Sequence, residues 1–212
     1  MVGEITWDDL YKKYGGRSVN SRRYEKMSFI EKIKKVILSP TEFFERIKYE
    51  EGVMKAFIYF AILSSIVVIF VTLTLNLLIS SYSGNLLRLL PSLGELVKLV
   101  GIMISIIFYI TILIGSFIVA GLAHLFLKLA GGKGDYSMTY KGIVYASTPI
   151  LLLGWVPFVG IIPTIYSFYL NLKGLSVLHS ISMKKVFLVV WVIPLVILGI
   201  ITLVIFSTTI SS

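Results

Sequence analysis

The chain has no cysteine and only two histidines, His124 and His179. The first absence excludes disulfides, thiolate metal sites and a thiol nucleophile. The second leaves two imidazoles about 55 residues apart in sequence, too few for a histidine-based metal site. Acidic side chains are nearly as sparse. Eleven Asp and Glu stand against 20 Lys and Arg, and between Glu51 and the C-terminus the only acids are Glu95 and Asp135. Both fall in loops by pattern, so no deeply placed carboxylate pair exists for proton coupling or hydrolysis inside a membrane. No nucleophile and base can be paired either. The sequence therefore predicts a protein that is not an enzyme, with no catalytic residue, no metal and no cofactor.

What the chain has instead is apolar length. Of its 212 residues 57% are hydrophobic and only 15% charged, beyond the makeup of an average soluble domain. Five charge-poor stretches, Ala56–Ile79, Leu99–Leu127, Tyr136–Val156, Gly160–Leu178 and Val186–Phe206, each approach or exceed the roughly 20 residues that a helix needs to cross about 30 Å of hydrocarbon. The predicted fold class is all-α: a polytopic membrane helical bundle with five transmembrane helices, preceded by short amphipathic interfacial helices. Its divisions are a cytoplasmic arm over residues 1–52, a five-helix domain over 53–207 and a short outside tail over 208–212. Residues 1–26 are polar and charged, so no cleavable signal peptide is expected there.

Orientation follows from the cations. Twelve of the 20 Lys and Arg lie between Lys12 and Lys55, Lys128, Lys133 and Lys141 flank the second loop, and Lys173, Lys184 and Lys185 flank the fourth; only Arg88 and Lys98 fall in the first. The positive-inside rule then places the N-terminus, second loop and fourth loop in the cytoplasm and the C-terminus outside, as in a multi-pass protein of the cell membrane. The net charge of +9 reads as attraction to anionic headgroups of the lipid bilayer, not to nucleic acid.

The arm carries two amphipathic segments. Ser28 and Glu31 have capping-box spacing ahead of a helix over 28–38, in which Phe29, Ile30, Ile33, Val36 and Ile37 take one face and Lys32, Lys34 and Lys35 the other. Ser39-Pro40-Thr41-Glu42 opens a second helix over 40–50 with Phe43, Phe44 and Ile47 on its apolar edge. Apolar anchors beside lysines suit a helix lying in the headgroup region. Phe29, Ile30, Lys32, Ile33, Lys34, Lys35, Ile37, Phe43 and Phe44 are therefore expected at the membrane surface, packing of the arm on the protein's own loops and docking of a partner protein being the other arrangements open to it. Upstream, Thr6–Tyr14 reads as a short helix and Gly15–Met27 as a linker.

Within the membrane, Leu99–Leu127 would extend about 43 Å as a helix and must tilt, kink or protrude. Gly131-Gly132-Lys133-Gly134 lacks the spacing of a phosphate-binding loop and reads as a helix C-cap and tight turn, with Asp135 or Ser137 capping the next helix. Pro149 and Pro194 predict irregularities in the third and fifth stretches, and the charge-free turn Gly154–Pro163 suits the outer interface. Polar groups at depth are few. Tyr145, Tyr166, Tyr169 and Asn171 form a candidate intramembrane cluster.

Ser39-Pro40-x-x-Phe43-Phe44, His124-Leu125-Phe126-Leu127-Lys128 leading to Gly131-Gly132-Lys133-Gly134, and Tyr145-Ala146-Ser147-x-Pro149, taken in this order over residues 39–206, resemble the prokaryotic, archaeal-type branch of the Yip domain family. The family-motif positions are Pro40, Phe44, His124, Gly131, Gly132, Tyr145 and Pro149. The resemblance implies a five-span bundle with a cytoplasmic N-terminus. Its eukaryotic relatives act in early secretory traffic, bind Rab-type GTPases and one another, and are linked to membrane shaping. The Asp-Leu-Tyr-Gly-Pro motif of those relatives is missing here, so the GTPase contact is not part of what is implied. The function expected is a non-enzymatic scaffold or adaptor in membrane organisation, associating with its own copies or with other membrane proteins. The alternative is a small transporter or channel for an uncharged or lipidic solute, with a tunnel lined by the tyrosines and Asn171.

Overall fold

A computed structural model describes residues 27–82 and 91–211. The helix expected over Thr6–Tyr14, the linker up to Lys26, and Arg88 lie outside the described residues. Helices are the only regular elements among those described.

Helix α1 (Phe29–Leu38) starts where Ser28 Oγ accepts the Glu31 amide at 3.2 Å. Ser39 ends it, donating its own N–H to Lys35 O at 2.9 Å, and α2 (Pro40–Ile47) follows with Pro40 in its first turn. The second capping box does not form. Ser39 makes no side-chain cap, and Glu42 pairs with Lys35 at 3.3 Å and Arg46 at 3.8 Å instead of reaching back. These exposed pairs contribute about 1 kcal/mol or less each.

Among the described residues three helices are long and apolar enough to cross a membrane: α3 (Met54–Tyr82), α4 (Pro91–Leu129) and the continuous helical run from Met183 to Thr209. The chain is therefore membrane-embedded. At about 1.5 Å per residue the 39 residues of α4 extend about 58 Å, well past the hydrocarbon core, and its first turns carry the Glu95–Lys98 pair at 3.0 Å. The helix is unbroken over this length, so of the three expected arrangements a kink is the one it does not adopt.

The third apolar stretch is not one helix. Pro149 has no amide to donate to Tyr145 O, and the helix divides there into α5 (Tyr136–Ala146) and α6 (Thr148–Leu153). Thr148 Oγ1 takes over that acceptor at 2.7 Å. A turn containing Trp155 leads to α7 (Ile161–His179). In the last run, α8 (Met183–Val186), a π-helical turn (Phe187–Val192) and α9 (Ile193–Ser211) are continuous. The π turn lies just before Pro194, where the missing amide interrupts the regular ladder. Residues 208–211 extend α9, so they are not a separate tail.

The core gathers at one end of the bundle. Val36, Phe43, Phe44 and Ile47 of the arm are buried with Ala56, Tyr59 and Leu63 of α3, Tyr140, Val144 and Tyr145 of α5, and Leu170 of α7. Much of α4 and α9 faces outward, most of their Ile, Leu and Val side chains being exposed.

Candidate functional site

The arm docks on α5 and α7 through a buried ionic cluster. Lys32 Nζ lies 2.7 Å from Glu50 Oε1 and 2.6 Å from Tyr145 Oη, and Tyr145 Oη donates to Glu50 Oε2 at 3.0 Å. Each partner satisfies the others, which a buried pair requires to offset its desolvation. Lys141, also buried, donates to Ile47 O at 3.1 Å and Glu50 O at 2.5 Å. It thereby places a cation on carbonyls at and just beyond the C-terminus of α2, where the helix dipole favours one.

Aromatic packing surrounds this cluster. Phe43 meets Tyr145 edge-on at 5.1 Å, and Tyr59 links Phe29 and Tyr145 at 5.0 Å each. The Tyr59 hydroxyl lies 2.8 Å from Thr148 Oγ1, whose proton is committed to Tyr145 O, so Tyr59 is the donor. Phe44 covers Gly174, where a Cβ would come within 2.6 Å of the ring, so only glycine permits this approach. Tyr166 Oη donates to Ile37 O at 2.5 Å and ties the end of α1 to α7.

Three of the expected membrane-surface residues are therefore interior. Lys32, Phe43 and Phe44 are buried, and Phe29, Ile33 and Ile37 pack against the same core. The amphipathic stripe was legible; the surface it covers is the protein's own. Ile30 (58% exposed), Lys34 and Leu38 (77% exposed) remain outward, and Lys35 is half-buried within its surface ion pairs.

A second polar site joins α4, α5 and α7. Thr139 Oγ1 lies 2.7 Å from His124 Nδ1 and 2.8 Å from His179 Nε2. Its one proton serves one acceptor, and Asp135 O at 3.4 Å is a third partner, so at least one of the two imidazoles donates to it. His179, one residue beyond the fourth apolar stretch, is fully buried; that burial, with His124 and Lys128 nearby, pushes its imidazole down to about 4. The adjoining turn explains the glycines. Gly131, at φ +85°, and Gly132 donate to Lys128 O at 2.9 Å and Leu127 O at 2.8 Å, forming a Schellman cap. A Cβ on Gly132 would lie 2.8 Å from both His179 Nδ1 and Leu127 O. Asp135 then caps α5 through Met138 N at 2.8 Å. Among the described residues no three His, Asp or Glu side chains converge as a metal site needs.

The four residues of the candidate intramembrane cluster do not come together. Tyr145 and Tyr166 hold the arm, and Tyr169 is 41% exposed while stacking on Tyr166 at 6.0 Å. Asn171 lines a separate apolar cavity that none of the tyrosines reaches. The adjacent helical positions 166 and 169 share a face, but 171 lies on another. Pro149 is buried and acts by breaking the helix. Glu50, Thr139 and Gly174 went unnoticed in the sequence. Lys141 did carry a signal, being the one cation inside the third apolar stretch.

A family model described as the Yip1 domain matches residues 34–206. No curated protein and no solved structure gives a significant match.

Proposed function

We propose, from the premise that this chain belongs to the Yip1 domain family, that it is a non-enzymatic membrane scaffold or adaptor whose arm and bundle form one cytoplasmic docking platform. The observation that carries this reading is the buried Lys32–Glu50–Tyr145 cluster. A segment held this firmly is part of the folded surface, with Ile30, Lys34, Leu38 and Glu45 presented outward. Partners of that surface are a second copy or another membrane protein, with anionic headgroups beneath its lysines.

In this reading the chain crosses the membrane five times. The α5–α6 pair and α7 (19 residues, about 28 Å long) supply the two crossings beyond the three long helices. The turn between them carries no charge, and Phe158 is 95% exposed at its tip, suited to the outer interface. The N-terminus is then cytoplasmic and the C-terminus outside, in the cell membrane. Transport of an uncharged solute is the weaker reading, because the expected tyrosine-lined tunnel does not assemble.

The test is a photo-crosslinking amino acid in place of the exposed Lys34 in native membranes. Discrete protein adducts, with a second copy or one other membrane protein, are the expected result. Adducts with lipid alone would overturn the platform.

A further inference from the structure

Trp155, in the turn between α6 and α7, packs against Phe70 of α3 with ring centroids 3.8 Å apart. That contact marks how far out the turn reaches. From Phe70, α3 continues to Tyr82, about 18 Å farther at about 1.5 Å per residue. Ser105 of α4 meets Thr72 at 2.7 Å, and the apolar part of α4 runs on from there to Gly94, about 16 Å. The last helical run passes α7 where Trp191 packs on Phe168 at 5.0 Å. From that point α7 has about 10 Å left before it ends at Ile161, while the last run has about 27 Å to Thr209. Each of the three long helices therefore overshoots the turn by on the order of 15 Å.

The overshooting segments require hydrocarbon. Leu73 and Leu77 of α3 and Leu198, Leu203 and Phe206 of α9 are each more than half exposed, an apolar surface that water would leave unburied. The turn has the opposite requirement. Its backbone is irregular, with Phe158 at φ +65°, and protein does not cover it: Phe158 is 95% exposed, and Ile161 and Ile162 are exposed beside it. Irregular backbone open to lipid does not occur at hydrocarbon depth, where its amides and carbonyls have no water to bond. A flat bilayer cannot meet both demands. Tilting shortens turn and helices alike, so it leaves the offset in place.

We infer that the outer leaflet is thinned where it meets the α6–α7 turn. Phospholipid headgroups descend there to Phe158, while hydrocarbon stands on the order of 15 Å higher against the outer ends of α3, α4 and α9. A bilayer thins beside a short apolar stretch and thickens beside a long one; this protein holds both side by side. Trp155 carries the amphipathic ring that headgroup level favours. The inference rests on the five-crossing reading, which puts the turn on the outer side.

Because the chain has no cysteine, single cysteines can carry a bimane fluorophore in the full chain, reconstituted in phosphatidylcholine nanodiscs. The sites are Phe158→Cys, Leu77→Cys and Leu203→Cys, and the quenchers are phosphatidylcholines bearing a nitroxide on either the headgroup or the acyl chain. The ratio of headgroup to acyl-chain quenching should exceed one for Phe158→Cys and fall below one for Leu77→Cys and Leu203→Cys, although those two lie farther out along their helices. Ile162→Cys, also exposed, repeats the first measurement if Phe158→Cys does not fold. A ratio above one at all three sites would mean a flat boundary at the turn, overturning the thinning and leaving the five crossings standing. A ratio below one at all three would put the turn in hydrocarbon and overturn both. Quenching of the turn by neither lipid would place water alone over it, which also overturns the inference.

Discussion

In α1 and α2 a lysine points inward and Phe43 and Phe44 are covered by protein, whereas along α4 and the last helix most Ile, Leu and Val side chains face out. The two regions differ in composition. For the long helices lipid is as apolar as leucine, so burying their side chains in protein gains little. The short arm carries lysines and glutamates beside its apolar stripe, and that stripe is covered by whatever apolar surface adjoins it. Here that surface is α5 and α7, whose Tyr145, Lys141 and Tyr166 also satisfy the arm's polar groups. The arm end of the bundle is thus specified by hydrogen bonds and ring contacts, and the rest by length and hydrophobicity.

The contrast breaks most severely at Lys32. Lys32→Met leaves the Glu50 carboxylate buried without its cation and should cost about 3–5 kcal/mol, read as a large fall in melting temperature. Lys32→Met with Glu50→Leu should recover most of it. An equivalent change on the lipid face, Ile201→Leu, should leave the midpoint almost unmoved, since that residue is 50% exposed.

Acid provides the next effect. His179 is held neutral in the fold with its imidazole at about 4, while in the unfolded chain it titrates near 6.5. Between those values the unfolded state binds more protons, so stability is full above about pH 6.5 and declines as pH falls toward 4, by on the order of 3 kcal/mol. His179→Gln should flatten melting temperature against pH across that window. An unchanged slope in the variant would remove His179 from the account. A smaller loss belongs to Tyr166→Phe, which deletes one hydrogen bond to Ile37 O and should cost about 0.6 kcal/mol, the average for interhelical bonds in membranes.

Much of this architecture was legible in the residues, for reasons that differ by region. Helix length and charge-free runs gave the long helices because a hydrocarbon core imposes its thickness on sequence. Gly131, Gly132 and Asp135 gave the α4–α5 turn because cap chemistry is local. The break at Pro149 was also local, although what stabilises it, the hydroxyls of Thr148 and Tyr59, comes from two helices. The arm's docking was not legible. An amphipathic period states that one face is buried and says nothing of what buries it; that depends on Gly174 leaving room for Phe44 and on Glu50 meeting Lys32 across 18 residues. Asn171 was singled out as polar at depth, but its separation from the tyrosines is a matter of helix face.

Whether the arm is covered by protein or by lipid can be read directly at Phe29, which packs 5.0 Å from Tyr59 yet is only partly buried and so accepts a larger ring. Phe29→p-benzoylphenylalanine in nanodiscs, irradiated and digested for mass spectrometry, should give an intramolecular adduct on α3 around Tyr59. Adducts confined to lipid acyl chains would contradict the docked arm.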